Sequence, residues 1–238
     1  MVTFRAVEFA ARLLHIQETK LRGSKLEADP PTTGHLRDLE RFQFRRKLAI
    51  GVSAVLATVA LLFCSSLWRN GARTDLLIRH IGAVLILASI AGRTWCAIYI
   101  GGKKKTTLVQ DGPYSLVRHP LYVFSVLGAL GAGAQWGAML VSLALACVTM
   151  AILNEAVRKE EAFMSLVFGQ AYADYSDRVP RLLPRFATWH DVDELTTKPA
   201  VVVRTFRDSC LFLLAIPIAQ TIDWAQQVGY LPILLSLP

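Results

Sequence analysis

The sequence predicts an all-α integral membrane protein, a bundle of about five membrane-embedded helices. Three observations lead to this fold class. The 238 residues are 53% hydrophobic. Residues 48–68 carry no charge, and residues 121–153 form a charge-free run of 33 residues. The 26 Lys and Arg residues gather mainly between the apolar runs. Because about 20 apolar residues cross ~30 Å of hydrocarbon, runs of this kind are typical of membrane spans rather than of a soluble core.

The N-terminal part divides into a polar region and the first two spans. Residues 1–47 are a polar region in which 5–22 have the spacing of an amphipathic helix. This start does not have the short apolar core of a signal peptide, so we expect no cleavage. Four cations in residues 41–47 precede span one, Leu48–Trp68, and span two follows at Leu76–Ile100. We predict a transmembrane core over residues 48–209 and a C-terminal membrane segment over 210–238.

The long apolar run at 121–153 is read as a helical hairpin. The stretch "GAGAQWG", residues 131–137, would break it into two arms. An arm such as 121–132 rises only ~18 Å, so we expect short arms that do not fully cross. The second arm should continue as a helix through Phe168. Residues 210–238 should form one kinked span or a looser pair, interrupted at Pro217, Asp223 and Pro232.

The distribution of cations predicts the orientation. Lys and Arg crowd residues 41–47, 103–118 and 158–207, whereas the loop after span one has only three cations near it. Since cytoplasmic loops carry the excess of Lys and Arg, these three stretches should share the cytoplasmic side. The protein is therefore expected to be multi-pass, in the inner membrane if it is bacterial, with any site formed by these stretches facing the cytoplasm.

The stretch "GPYSLVRHPLY", residues 112–122, stands where the chain enters the hairpin. Pro120 suits the first turn of a helix, because its missing N–H would have no partner there. Arg118 and His119 then lie near a helix N-terminus, which favours anions such as carboxylate or phosphate. In the alternative reading, Arg118 reaches lipid headgroups and His119 only caps the helix.

A second polar stretch, "RKEEAFMSLVFGQAYADYSDRVPRLLPRF", occupies residues 158–186. Glu160 and Glu161 point about 100° apart on a helix, so we expect one to face a site and the other to meet Arg158 or solvent. Tyr172 and Tyr175 should share a helix face. The cations after Asp177 suggest a basic surface for anionic lipid.

Together these stretches resemble the isoprenylcysteine carboxyl methyltransferase family and its bacterial relatives. The family pattern is GPY, RHPxY, EExxL, FGxxYxxY and a VPR-like end, with R-x-W in the preceding span. Met164 replaces the usual leucine of EExxL, a volume-conserving change. The matching residues are Arg93, Trp95, Gly112, Pro113, Tyr114, Arg118, His119, Pro120, Tyr122, Glu160, Glu161, Phe168, Gly169, Tyr172, Tyr175, Val179 and Pro180.

The resemblance implies S-adenosylmethionine as methyl donor and a lipidic or lipid-modified acceptor, with O-methylation of a carboxylate such as a prenylcysteine as the archetype. An ionised oxygen acceptor needs no general base, and Arg93 and Arg118 are available to hold an anion. The candidate catalytic residues are Arg93, Arg118, Glu160 and Glu161. The candidate donor-binding residues are Tyr114, His119, Pro120, Tyr122, Glu160, Phe168, Tyr172 and Tyr175.

Two other functions remain open from the sequence. A phospholipid amine N-methyltransferase would share the donor site but would need Glu160, Glu161 or His119 to remove a proton. A non-enzymatic membrane protein of the same fold is the other. We expect no metal site in "HDVDEL", residues 190–195, and no nucleic-acid partner. The four single cysteines are read as small buried hydrophobes.

Overall fold

A computed structural model describes residues 62–66, 73–101 and 107–237, together with Val52 and Val59. The chain divides into two units, residues 1–54 and 55–238, and the described residues other than Val52 belong to the second. Among the described residues, the helices are α1 (Arg73–Ile100), α2 (Pro113–Leu116), α3 (Pro120–Ala134), α4 (Met139–Phe168), α5 (Gln170–Arg178), α6 (Pro199–Cys210) and α7 (Ala215–Gln227). Two 3-10 turns lie at Phe186–Thr188 and Leu211–Leu214, and two short strands are β1 (Cys64–Ser66) and β2 (Leu235–Leu237).

Helices α1 and α4 are each long and apolar enough to cross a bilayer. With 28 and 30 residues they rise about 42 and 45 Å. Large apolar side chains such as Leu87 on α1 and Leu143 on α4 are exposed, and most of the apolar stretch of each helix is not covered by protein. Helices of this kind suit a lipid environment better than the interior of a soluble domain. The prediction of a helix over 76–100 is confirmed.

Helix α3 packs between α1 and α4. Its glycines allow this close approach: an added Cβ at Gly131 would lie 2.6 Å from the Gly82 carbonyl oxygen of α1. The predicted hairpin is present, but its turn lies later than expected, because α3 continues to Ala134 and the break is at residues 135–138. The expectation of two short arms is wrong for the second arm, since α4 runs without interruption from Met139 to Phe168.

Much of predicted span one lies outside the described residues, as does the predicted amphipathic helix at 5–22. The last part of predicted span one was expected to be helical, but Cys64–Ser66 instead form β1 and pair in parallel with β2. The Ser66 hydroxyl donates to the Gly137 carbonyl at 2.8 Å, so the polar groups of this segment bond to distant residues instead of to a helix. Among the described helices two have the length of a span and α3 is a shorter apolar helix. The count of about five therefore stays a prediction, as do the domain boundaries.

The C-terminal part contains two helices rather than one kinked span. Helix α6 begins at Pro199, earlier than the apolar segment predicted from residue 210, and packs on α1. A 3-10 turn at Leu211–Leu214 leads into α7, which passes through Pro217 without ending. Pro217 lies in the first turn of α7, where a missing N–H costs little.

Candidate functional site

The site begins with the tight turn that precedes α3. Gly112 has φ +57°, and a Cβ there would lie 2.2 Å from the Tyr99 ring of α1. Only glycine suits this conformation and this contact. The one-turn helix α2 follows, and Pro120 then begins α3, fully buried in its first turn. This local geometry places Arg118 and His119 directly before a long helix, as the sequence predicted.

Helix α5 and the segment after it lie along this turn, and several hydrogen bonds hold them there. The Tyr175 hydroxyl donates to the Tyr114 carbonyl at 2.8 Å. The backbone N–H of Arg118 donates to the Pro180 carbonyl at 2.9 Å, and that of Arg185 to the Leu116 carbonyl at 3.0 Å. The two motif stretches, far apart in the chain, are therefore joined through their backbones.

Glu161 is the centre of a charged cluster at this junction. Its Oε1 lies 3.2 Å from Arg118 Nη1, 3.2 Å from His119 Nε2 and 3.1 Å from Arg181 Nε, and Arg181 Nη2 donates to Oε2. The residue is only 9% exposed. A carboxylate this buried needs such partners, because removal from water disfavours its charge. One carboxylate thus fixes two guanidinium groups and an imidazole.

Glu160 lies beside this cluster and is more open. The Tyr122 hydroxyl donates to its Oε1 at 2.8 Å, and its Oε2 lies 3.9 Å from His119 Nδ1. The side chain is 37% exposed. The expectation that one glutamate faces a site while its neighbour meets Arg158 or solvent holds in part. Glu160 is the more exposed of the two but also contacts the RHPxY stretch, and Arg158 instead lies 3.7 Å from Glu155.

Burial and hydrogen bonds shift the pKa values of the ionisable groups in the cluster. Burial lowers the pKa of His119 below its ordinary value, against the opposing effects of Glu160 and Glu161. The hydrogen bond to Glu161 raises the pKa of Arg181. At neutral pH His119 is therefore neutral, with one N–H to donate and one nitrogen to accept.

Tyr114 brings an unused hydrogen-bonding group to the site. Tyr114 is 6% exposed, and its buried hydroxyl has no hydrogen-bond partner among the described residues. Burial raises the pKa of this hydroxyl far above its ordinary value, and the nearby Glu160 and Tyr122 raise it further. A buried, neutral donor left without a partner is costly unless a ligand completes it.

The remaining predicted residues fall into two groups. Phe168, Tyr172 and Tyr175 pack together below the cluster, and the two tyrosine rings are 6.2 Å apart, so the prediction that they share a helix face is confirmed. Arg93 lies outside the cluster: its guanidinium contacts Ser125, Ser209 and Phe212. Their proposed roles in binding and catalysis remain predictions.

Arg181 is the residue that sequence reasoning missed. It was read only as one of several basic residues for a lipid surface, yet it makes a two-pronged contact with Glu161. Its position directly after the VPR-like Val179-Pro180 pair was a usable signal. Within the described part of the chain, no group of three or more His, Cys, Asp or Glu side chains is placed to hold a metal ion.

The sequence is similar to one family profile and to several known proteins. The phospholipid methyltransferase family profile matches residues 76–171. The cobalt-zinc-cadmium resistance protein CzcN of Cupriavidus metallidurans is 34% identical over 207 residues, 86% of this chain and 94% of that protein. The nickel-cobalt-cadmium resistance protein NccN of Alcaligenes xylosoxydans xylosoxydans is 30% identical over 84% of this chain and 93% of that protein.

A further match connects the site to a named enzyme. The protein-S-isoprenylcysteine O-methyltransferase of Schizosaccharomyces pombe is 33% identical over 95 residues, 40% of each chain. No solved structure matches the chain. The fold and these matches define a helical protein of the methyltransferase families. Within them, the chain belongs to one family with CzcN and NccN, since its similarity extends over nearly the whole length of those proteins, whereas its similarity to the isoprenylcysteine enzyme covers 40% of the chain.

Proposed function

We propose that the protein transfers a methyl group from S-adenosylmethionine to a lipidic or lipid-modified acceptor, by O-methylation of a carboxylate such as a prenylcysteine. The observation that carries the proposal is the junction of the RHPxY and EE stretches, in which His119 lies 3.2 Å from Glu161 and 3.9 Å from Glu160. The site faces the cytoplasm in this proposal, and the protein is a multi-pass protein of the membrane, bacterial inner membrane if the source is bacterial.

The side chains present fit the methyl donor. The donor is a sulfonium cation that also has an ammonium group, a carboxylate and an adenosine. The partly open Glu160 carboxylate suits the positive groups, and the guanidinium of Arg118 suits the carboxylate. The unpartnered hydroxyl of Tyr114 supplies a buried hydrogen-bond donor. The aromatic group of Phe168, Tyr172 and Tyr175 offers an apolar wall for the adenosine.

The donor, when bound, supplies an activated methyl group on sulfur. That methyl group would pass to an acceptor oxygen as the carbon–sulfur bond breaks, with the electron pair of that bond remaining on the sulfur. A carboxylate acceptor is already ionised at neutral pH, so no proton has to move. The protein's residues then act by aligning the two groups and excluding water. The neutral His119 and the fixed Glu161 are positioned for this alignment rather than for proton transfer.

Donor binding tests the proposal directly. The purified protein in a non-ionic detergent would be titrated calorimetrically with S-adenosylmethionine and with S-adenosylhomocysteine. We expect binding by the wild type, and affinity lowered about 10-fold to 100-fold in Glu160→Gln and His119→Ala, since each loses hydrogen bonds to a charged or buried group.

Arg158→Met is the matched control, because Arg158 is on the same helix but is exposed and pairs with Glu155. It should bind the donor as the wild type does. A wild-type protein that binds neither compound would overturn the proposal, and so would variants of Glu160 and His119 with unchanged affinity.

A second candidate is N-methylation of a phospholipid amine, favoured by the phospholipid methyltransferase profile over residues 76–171. Membranes incubated with labelled donor separate the two: an ester product loses its label in base, whereas a methylated amine keeps it. Because CzcN and NccN are named as metal resistance proteins, cells should be compared with and without added cobalt or cadmium. Mass spectrometry of their lipids would reveal the acceptor through an increment of one CH₂.

A further inference from the structure

Residues 183–189 form an exposed apolar segment between α5 and α6. Leu183 and Phe186 are 81% and 75% exposed, and Trp189 is also exposed. Several large apolar side chains that stay exposed close together mark a surface for a protein partner or for a membrane. The position of the segment and the charges around it indicate which of the two applies.

The segment is bonded to the turn that precedes α3. The Arg185 N–H donates to the Leu116 carbonyl at 3.0 Å, and the Thr188 hydroxyl donates to the Ser115 carbonyl at 2.6 Å. These bonds use polar groups of the segment on its inner side. The apolar side chains are therefore held outward instead of being free to fold onto the core.

The segment lies where two apolar helices end. Leu116 is four residues before Pro120, the first residue of α3. The Trp189 ring lies 6.0 Å from the ring of Trp95, which is about 8 Å from the end of α1 at Ile100. If the apolar helices cross a bilayer, their ends lie at its boundary with water, where tryptophan is enriched.

The charges next to the apolar side chains are positive. Residues 178–190 contain three arginines and no acid. Arg185 is exposed and makes no ion pair with another described residue. The next acid along the chain, Asp191, is turned towards α1, where its carboxylate accepts from the Tyr99 hydroxyl at 2.8 Å. Cations beside exposed apolar side chains suit a surface that has phosphates above acyl chains.

From these observations we infer that residues 183–189 are an interfacial anchor, and that their partner is a membrane surface containing anionic phospholipid. Leu183, Phe186 and Trp189 enter the boundary between head groups and acyl chains, and Arg185 contacts the phosphates. This surface is separate from the residues proposed to bind the methyl donor, so the proposed function can fail without affecting it.

The anchor also sets the depth of the motif site. Arg181, which contacts Glu161, lies two residues before the anchor begins. The Arg118 N–H donates to the Pro180 carbonyl at 2.9 Å. Because the anchor and these contacts belong to one short stretch of chain, an anchor at the head groups holds the Glu161 cluster close to the same layer.

Tryptophan fluorescence in vesicles tests the depth of the segment. The protein is reconstituted into phosphatidylcholine and phosphatidylglycerol whose acyl chains are brominated either near the head group or near the methyl end. Phe186→Trp is compared with the wild type, because the chain already has five tryptophans. We expect the added emission to be lost mostly to the bromines near the head group and little to those near the methyl end.

Two exposed positions serve as controls. Leu87 is exposed in the middle of α1, about 20 Å from Ile100, so the emission added by Leu87→Trp should be lost mostly to the bromines near the methyl end. Asp177 is an exposed acid on α5, so the emission added by Asp177→Trp should be lost to neither.

A second measurement tests the preference for anionic lipid. The Tm of the purified protein is measured in mixed micelles of non-ionic detergent with phosphatidylglycerol or with phosphatidylcholine. We expect a higher Tm with phosphatidylglycerol. Arg185→Gln should reduce this difference by about 2–4 °C, the effect of removing one arginine from an anionic surface. Arg185→Lys keeps the charge and should keep the difference.

Three results would overturn the inference. If the emission of Phe186→Trp behaves as that of Asp177→Trp, the segment faces water and its apolar side chains serve a soluble partner. If it behaves as that of Leu87→Trp, the segment lies among the acyl chains. If Arg185→Gln keeps the full Tm difference between the two lipids, the anionic surface is not its partner. Both substitutions change exposed side chains, so the variants should fold as the wild type does.

Discussion

Two ion networks of opposite composition lie towards the two ends of helix α1, and of these two only the Arg79 network includes residues of that helix. Near its C-terminal end, the single carboxylate of Glu161 is shared by Arg118, His119 and Arg181. Near its N-terminal end, the single guanidinium of Arg79 is shared by Asp75 at 2.9 Å and by Asp223 of α7 at 2.6 Å. In the first network two guanidinium groups share one carboxylate, so positive charge is in excess. In the second network two carboxylates share one guanidinium group, so negative charge is in excess.

This difference teaches how similar chemistry serves different purposes. The Arg79 network ties α1 to α7, so it holds the structure together. The Glu161 network instead fixes two arginines beside an unpartnered Tyr114 hydroxyl and the more open Glu160. Spare positive charge and a spare donor suit an anionic or polar ligand.

Glycine substitutions should give the largest effects and show that backbone contacts hold both ends. Gly112 packs on the Tyr99 ring, and a Cβ on Gly137 would lie 1.7 Å from Asp75 Oδ1. Alanine at either position meets a clash in addition to the strain of positive φ, so we expect a loss of about 4 kcal/mol in unfolding free energy. Chemical denaturation in detergent would measure it.

Gly169 is the matched control for this prediction. It has φ +50°, close to the +57° of Gly112, and nothing lies within 4 Å of its added Cβ. Gly169→Ala should therefore cost only the strain term, about 1–3 kcal/mol. Equal losses at Gly112 and Gly169 would show that the contact with Tyr99 is unimportant.

Removing the shared cation should separate stability from binding. Arg79→Met removes the cation that Asp75 and Asp223 share, and we expect it to cost about 3 kcal/mol of stability. Its affinity for S-adenosylhomocysteine should not change. The triple variant Asp75→Asn, Arg79→Met, Asp223→Asn should recover part of the stability, and no recovery would argue against the charge explanation.

Removing the shared carboxylate should have the opposite pattern. Glu161→Gln keeps the shape of the side chain but leaves Arg118 and Arg181 with a neutral acceptor. We expect donor affinity to fall by about 2 kcal/mol, roughly 30-fold, because hydrogen bonds to charged groups contribute about 1.5–3 kcal/mol. Glu161→Gln and Arg79→Met would be compared by calorimetry. An equal loss of donor affinity in both would contradict the assignment of binding to the Glu161 network and of stability to the Arg79 network.

The smallest expected effect is a pH dependence of stability at His119. Burial lowers its pKa in the folded protein below the 6.5 of the unfolded chain. Between these two pKa values the unfolded chain binds more protons, so stability is complete above pH 6.5 and declines as the pH falls below it. His119→Gln should lose less stability than the wild type between pH 7 and pH 5, as measured by the Tm in the two buffers. Parallel curves would contradict this assignment.

Much of the architecture was predictable because it depends on local composition. The charge-free run at 121–153 indicated a hairpin, and the spacing of Tyr172 and Tyr175 indicated a helix with both rings on one face. The motif stretches indicated that His119 and Glu161 belong to one site, and the structure brings them within 3.2 Å. The turn position was misjudged, because glycines that favour a break in isolation serve in α3 to pack against α1.

The sequence by itself determined the apolar helices, the polar motif and the family resemblance, since hydrophobic run length and residue order are properties of neighbouring residues. Only the tertiary structure decided the partners. The contact of Arg181 with Glu161, the bond of Arg93 to Ser209 across 116 residues, and the pairing of β1 with β2 depend on how helices cross and where side chains then point. A charge in the sequence has many possible partners, and packing selects among them.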